Sequence, residues 1–150
     1  MPGIITSDHQ LTSPQRLVLA ALLDTLVPAS DDGAMPSAAD VDFDGYLREQ
    51  AADFVPSLMA LLEHFERSFA DLPLERRCER VSDFSSTNPP LFQLLLTRVY
   101  DCYYQDPRVR VQIGVVVGAP FPQGNQVAAG DLSLLDPVIA NSARHRYRKP

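Results

Sequence analysis

Residues 88–107 read Asn88-Pro-Pro-Leu-Phe-Gln-Leu-Leu-Leu-Thr-Arg-Val-Tyr-Asp-Cys-Tyr-Tyr-Gln-Asp106-Pro107. Prolines at both ends with none between mark out a helix. Proline is tolerated in a first turn, where its missing N–H would have had no partner, and breaks a helix interior. Asn88 and Asp106 each precede a proline and are good N-cap residues. Phe92, Leu95, Leu96, Val99 and Tyr103 recur at three- and four-residue spacing, which predicts a helix over 89–105 with one apolar face. Leu91 and Leu94 add a second apolar face. A helix apolar on two sides is expected in the middle of a bundle.

The same punctuation continues outward, at Ser13-Pro14, Val55-Pro56 and Leu72-Pro73. Leu19, Leu22, Leu23 and Leu26 predict a first helix over 14–27, with Ser13 as its cap and Pro28 as its stop. A second helix opens at Ser37, which pairs with Asp40 in capping-box fashion, and runs to about Gln50 with Val41, Phe43, Tyr46 and Leu47 as its apolar residues. The clearest stripe, Leu58, Leu61, Leu62, Phe65 and Phe69, predicts a third helix over 56–70. A fourth, over 74–84, places Leu74, Cys78 and Val81 on its apolar side. Beyond Asp106 we expect a short helix over 107–112, a brief extended run at Val115–Val117 and a Gly/Pro-rich loop over 114–130. A helical turn over 131–135 follows, closed by Asp136-Pro137.

The expected class is therefore all-α: an irregular bundle of about five helices, short C-terminal helices and a long Gly/Pro-rich loop. Residues 1–140 read as a single helical domain and 141–150 as a basic tail. At 150 residues, 45% apolar and 21% charged, a core burying roughly 70% of the unfolded surface is attainable without staples. Cys78 and Cys102 have neither disulfide-framework nor zinc-ligand spacing, and both read as buried thiols.

The net charge of −6 argues against nucleic acid as a whole-domain partner. Acids crowd residues 24–53, whereas Arg144, Arg146, Arg148 and Lys149 stand together at the end, where solvation or pairing with the acidic face is the simplest use. Residues 1–10 show no leader pattern and no apolar run approaches the roughly 20 residues that span a bilayer. The chain is therefore expected in the cytoplasm without direct membrane insertion, and in the periplasm only if exported with a partner.

The sharpest local motif is Asp40-Val-Asp42-Phe-Asp44-Gly45, which copies the opening of a calcium-binding EF-hand loop. That loop needs a bidentate glutamate at its twelfth position, occupied here by Ala51, so an acidic helical segment is the better reading. His9, His64 and His145 do not cluster, and no nucleophile elbow, P-loop or dinucleotide fingerprint occurs. Tyr100 and Tyr104 share one helix face, with Tyr103 on another beside Val99; core packing is their simplest role, and one or two are candidates to meet a partner. No catalytic, cofactor or metal residue is assigned to this chain.

Three segments carry a family resemblance: Val99-Tyr-Asp-Cys-Tyr-Tyr-Gln-Asp-Pro-Arg-Val109, Pro120-Phe-Pro-Gln-Gly124 and Gly130-Asp-Leu-Ser-Leu-Leu-Asp-Pro-Val138. The opening segments Leu11-Thr-Ser-Pro-Gln-Arg16, Leu22-Leu-Asp-Thr-Leu-Val-Pro-Ala29 and Pro36-Ser-Ala-Ala-Asp40 fit as well. Taken in order, they resemble gluconate 2-dehydrogenase subunit 3, the small accessory subunit of membrane-associated flavin-dependent dehydrogenases. The resemblance implies a helical, non-catalytic, chaperone-like subunit of an oxidoreductase complex. Its partner would be a large flavoprotein of the glucose–methanol–choline type acting on sugars, polyols or sugar acids, with FAD on that partner. The family's small subunit also serves maturation and export, commonly through its own twin-arginine leader; here a cytoplasmic complex or a leader on another subunit would replace it. The expected interface residues are Tyr104, Asp106, Pro107, Arg108, Phe121, Pro122, Leu134, Asp136 and Pro137, because apolar side chains in Pro-rich segments suit a covered surface. The alternative is a free-standing cytoplasmic helical interaction or regulatory protein using its basic tail.

Overall fold

The computed structural model describes residues 11–115 and 130–142, excluding the side chains of Ile139, Asn141 and Ser142. The chain divides into two compact units, Met1–Val117 and Gly118–Pro150. The all-α class holds: the described residues form seven α-helices and four short 3-10 turns, with no strand among them.

The first unit contains α1 (Ser13–Leu26), α2 (Phe43–Gln50), α3 (Val55–Leu62), α4 (Leu74–Thr87), α5 (Pro89–Tyr103) and α6 (Pro107–Gln112). Its 3-10 turns cover Ala38–Asp40, Ala52–Phe54 and Arg67–Asp71. The cap of α1 is Thr12, one residue before the expected Ser13; Thr12 and Gln15 bond each other's backbone N–H in a capping box. The second expected helix divides. Ser37 caps only the 3-10 turn, and Asp42 caps α2 by accepting the Gly45 N–H at 2.9 Å.

The third expected helix stops at Leu62 rather than 70, although Phe65 and Phe69 are buried as their spacing implied. The reason is tertiary. Phe65 packs on Phe69 and on Phe84 of α4, with ring centroids 4.9 and 5.2 Å apart, and a turn over 63–66 followed by a 3-10 turn accommodates that cluster.

The fourth helix has the expected place but a different buried face. Leu74 and Cys78 are exposed, and Val81 and Phe84 are buried. Arg77 causes this rotation by reaching inward to the α1 backbone (Arg77 Nη1 to Ala21 O, 2.8 Å) and to Asp24 (3.0 Å). The stripe 77-81-84 therefore faces the core, and Cys78 is not a buried thiol.

Helix α5 packs against α2, α3 and α4 and buries Leu95, Val99, Cys102 and Tyr103. Its second apolar side is not fully covered, since Leu94 remains exposed. Leu22, Leu58, Leu61 and Leu95 are completely buried, each contributing roughly 2–3 kcal/mol of hydrophobic stabilisation.

In the second unit, a 3-10 turn over Leu132–Leu135 is capped by Asp131 and leads into α7 (Asp136–Ser142). Asp136-Pro137 thus opens a helix instead of closing a turn, consistent with proline's tolerance in a first helical turn. The basic tail, the Val116–Val117 part of the extended run, and most of the Gly/Pro-rich loop lie outside the described residues.

Candidate functional site

The three carboxylates of the EF-hand-like motif are engaged separately. Asp40 accepts the Ser37 N–H at 3.3 Å, Asp42 caps α2, and Asp44 pairs with Arg16 of α1. They hold the chain's own backbone and a helix rather than converging on one point. Among the described residues, no group of three His, Cys, Asp or Glu is placed to hold a metal.

The expected interface residues fall into three groups. Asp106 and Arg108 are already bonded within the chain: Asp106 caps α6 through the Arg108 N–H at 2.8 Å and accepts its guanidinium at 3.0 and 2.9 Å. Arg108 also donates to the Asp40 carbonyl at 2.8 Å, fastening α6 to the turn before α2. This pairing holds the Asp106 carboxyl below the ordinary carboxylate range. Tyr104 and Pro107 are exposed nearby. Leu134, Asp136 and Pro137 are exposed in the second unit, and Phe121 and Pro122 lie outside the described residues.

The tyrosines separate by role. Tyr103 is buried and its hydroxyl donates to the Pro36 carbonyl at 2.8 Å, so it ties α5 to the loop before α2. Tyr100 and Tyr104 are exposed, with ring centroids 6.2 Å apart. Cys102 is buried as expected. Burial first, then the nearby charges of Asp42 and Asp106, push its thiol up to about 11, which leaves it protonated and unreactive at neutral pH.

The sequence reading missed a cavity of about 220 Å³ between the Arg67–Asp71 turn and α4. Phe65, Phe69, Leu72 and Phe84 form its apolar part, and His64, Arg80 and Asp83 stand among its polar groups. The exposed His64 ring leans on Phe84 at 5.3 Å. The available sequence signal was the α4 stripe Arg80-Asp83-Phe84-Thr87, whose spacing of three, four and seven puts these residues on one helix face. A second cavity, of about 210 Å³, lies where α2 meets the end of α5; Glu49, Gln50 and Gln105 line it, and the Gln50 and Gln105 amides bond at 2.9 Å.

No family model, curated protein or solved structure matches this chain. No helix of the described residues is long and apolar enough to cross a membrane.

Proposed function

We propose that this chain is a non-catalytic small subunit that binds, stabilises or assembles a large FAD-dependent dehydrogenase of the glucose–methanol–choline type, which acts on a sugar, polyol or sugar acid. The observation that carries the reading is the exposed apolar run in the second unit. Leu132, Leu134, Leu135 and Val138 are 70, 79, 48 and 63% exposed within seven residues. Single exposed aliphatic side chains are ordinary, but three leucines and a valine in one short helical segment form a surface that a partner would cover.

Two further features agree with this reading. The segment is one of those that resemble the dehydrogenase small subunit. The first unit also supplies exposed aromatic area through Tyr100 and Tyr104, a residue type enriched at interface centres. Reactive chemistry is assigned to the partner, which carries the FAD.

The test is co-expression of a glucose–methanol–choline-type flavoprotein from the same genome with and without this chain. Soluble yield, FAD content and dye-linked dehydrogenase activity are the readouts. The proposal expects co-purification and a flavoprotein that is poorly soluble or inactive alone. Equal yield and activity in the absence of this chain would overturn it.

A further inference from the structure

Helix α4 contains two arginine–carboxylate pairs at the same spacing. Arg76 and Glu79 close into an ion pair at 2.8 Å. Arg80 and Asp83, also three residues apart, do not, and among the described residues neither side chain has an ion-pair partner. Both line the cavity between α4 and the Arg67–Asp71 turn, whose floor is Phe65, Phe69 and Phe84. An open cation and an open carboxylate beside an apolar floor form a three-point pattern.

Its size and charge limit the occupant. At about 220 Å³ the cavity is below the roughly 300–1,000 Å³ of pockets that take drug-sized ligands, so it suits a molecule of about a dozen non-hydrogen atoms. A simple anion would satisfy Arg80 and meet repulsion from Asp83 and Glu66; a simple cation would leave Arg80 unmatched. A zwitterion matches both ends. Glu66 is the less available carboxylate, because it already accepts the Ser68 hydroxyl at 3.3 Å. The Asn88 side chain makes no capping bond to α5 and adds a neutral donor and acceptor to the lining.

We propose that this cavity binds a free α-amino acid with an apolar side chain. Arg80 pairs with the ligand carboxylate, Asp83 with its ammonium, and the Phe65–Phe69–Phe84 floor takes its side chain. The site is independent of the dehydrogenase reading, because it lies wholly within the first unit and uses none of the interface residues.

The experiment is calorimetric and NMR titration of the purified full chain with L-phenylalanine, hydrocinnamate, phenethylamine and glycine. Saturable millimolar-range binding of L-phenylalanine is expected, with hydrocinnamate and phenethylamine each weaker by about twofold to fivefold, the worth of one exposed ion pair, and glycine, which lacks the ring, weaker still. Arg80→Gln should weaken L-phenylalanine and hydrocinnamate but not phenethylamine, whose ammonium loses a like-charged neighbour; Asp83→Asn should weaken L-phenylalanine and phenethylamine but not hydrocinnamate, whose carboxylate is relieved of repulsion. Both side chains are exposed, and unchanged circular dichroism and melting would show that the variants remain folded. The proposal is overturned by no saturation at about 10 mM L-phenylalanine, by binding indifferent to either charge, or by variants that bind all four ligands as the parent does.

Discussion

Arg77 on α4 and Asp24 on α1 form an ion pair at 3.0 Å, and the other Asp24 oxygen accepts the Ser37 hydroxyl at 2.8 Å. One carboxylate thus joins α1, α4 and the turn before α2, and Arg77 adds a bond to the Ala21 carbonyl. Arg77→Ala would leave both acceptors short of a donor. We expect a loss of about 2 kcal/mol in urea unfolding, between the roughly 0–1 kcal/mol of an exposed pair and the roughly 3–5 kcal/mol of breaking a buried one, because Asp24 is partly exposed. Arg77→Lys should recover only part of this, since a single ammonium nitrogen would have to reach both acceptors that Arg77 meets with two separate nitrogens. A variant as stable as the parent would show that the pair holds nothing together.

The two cysteines should differ sharply in reactivity. Cys78 is exposed, and Cys102 is buried with its thiol pushed up to about 11, so roughly one Cys102 in ten thousand is thiolate at pH 7. Timed alkylation of the native chain should modify one thiol quickly and the second only in denaturant. A fast phase that survives Cys78→Ser would contradict the assigned burial.

Asp106 predicts a specific pH dependence. Its carboxyl is held below the ordinary range, chiefly by the Arg108 guanidinium, so its stabilising contribution is complete above the unfolded value near pH 4. That contribution is lost as the pH falls through the depressed folded value. The stability difference between the parent and Asp106→Asn should therefore be constant from about pH 5 to 7 and shrink in stronger acid. A difference that grows on acidification would have the wrong sign.

Gly45 lies in the first turn of α2, where a Cβ would meet the Asp42 carboxylate at 2.2 Å. Gly45→Ala should gain about 0.5–1 kcal/mol of helix propensity and lose a cap of about 1 kcal/mol, leaving little net change. In the Asp42→Ala background the cap is already gone, so the same substitution should stabilise by nearly the full propensity term. Equal effects in the two backgrounds, measured by denaturant unfolding, would rule out this coupling.

Much of the fold was legible because proline and apolar spacing acted together. For α1 and α5, a proline in the first turn and a leucine-rich stripe gave both position and buried face. Where tertiary contacts decide, the pattern misled. Nothing between Leu62 and Phe69 announces a break, because the break arises from Phe65 packing against Phe84, far along the chain. The rotation of α4 was likewise hidden, since it depends on an arginine in the buried stripe, a residue type normally assigned to solvent. The open Arg80–Asp83 pair was present in the sequence but indistinguishable from Arg76–Glu79 until side chains were placed. Asp106 and Arg108 lie in a segment that suggested an interface, and their observed hydrogen bonds serve the chain's own α6.

Co-elution of this chain with the proposed flavoprotein dehydrogenase partner on size-exclusion chromatography, with Leu132→Ser/Leu134→Ser/Leu135→Ser set against the parent, bears most directly on the role of the exposed leucines. We expect the parent to run as a complex and the triple variant to run alone, with the melting of the first unit unchanged. Undiminished co-elution of the folded variant would contradict a docking role for the second unit's leucines.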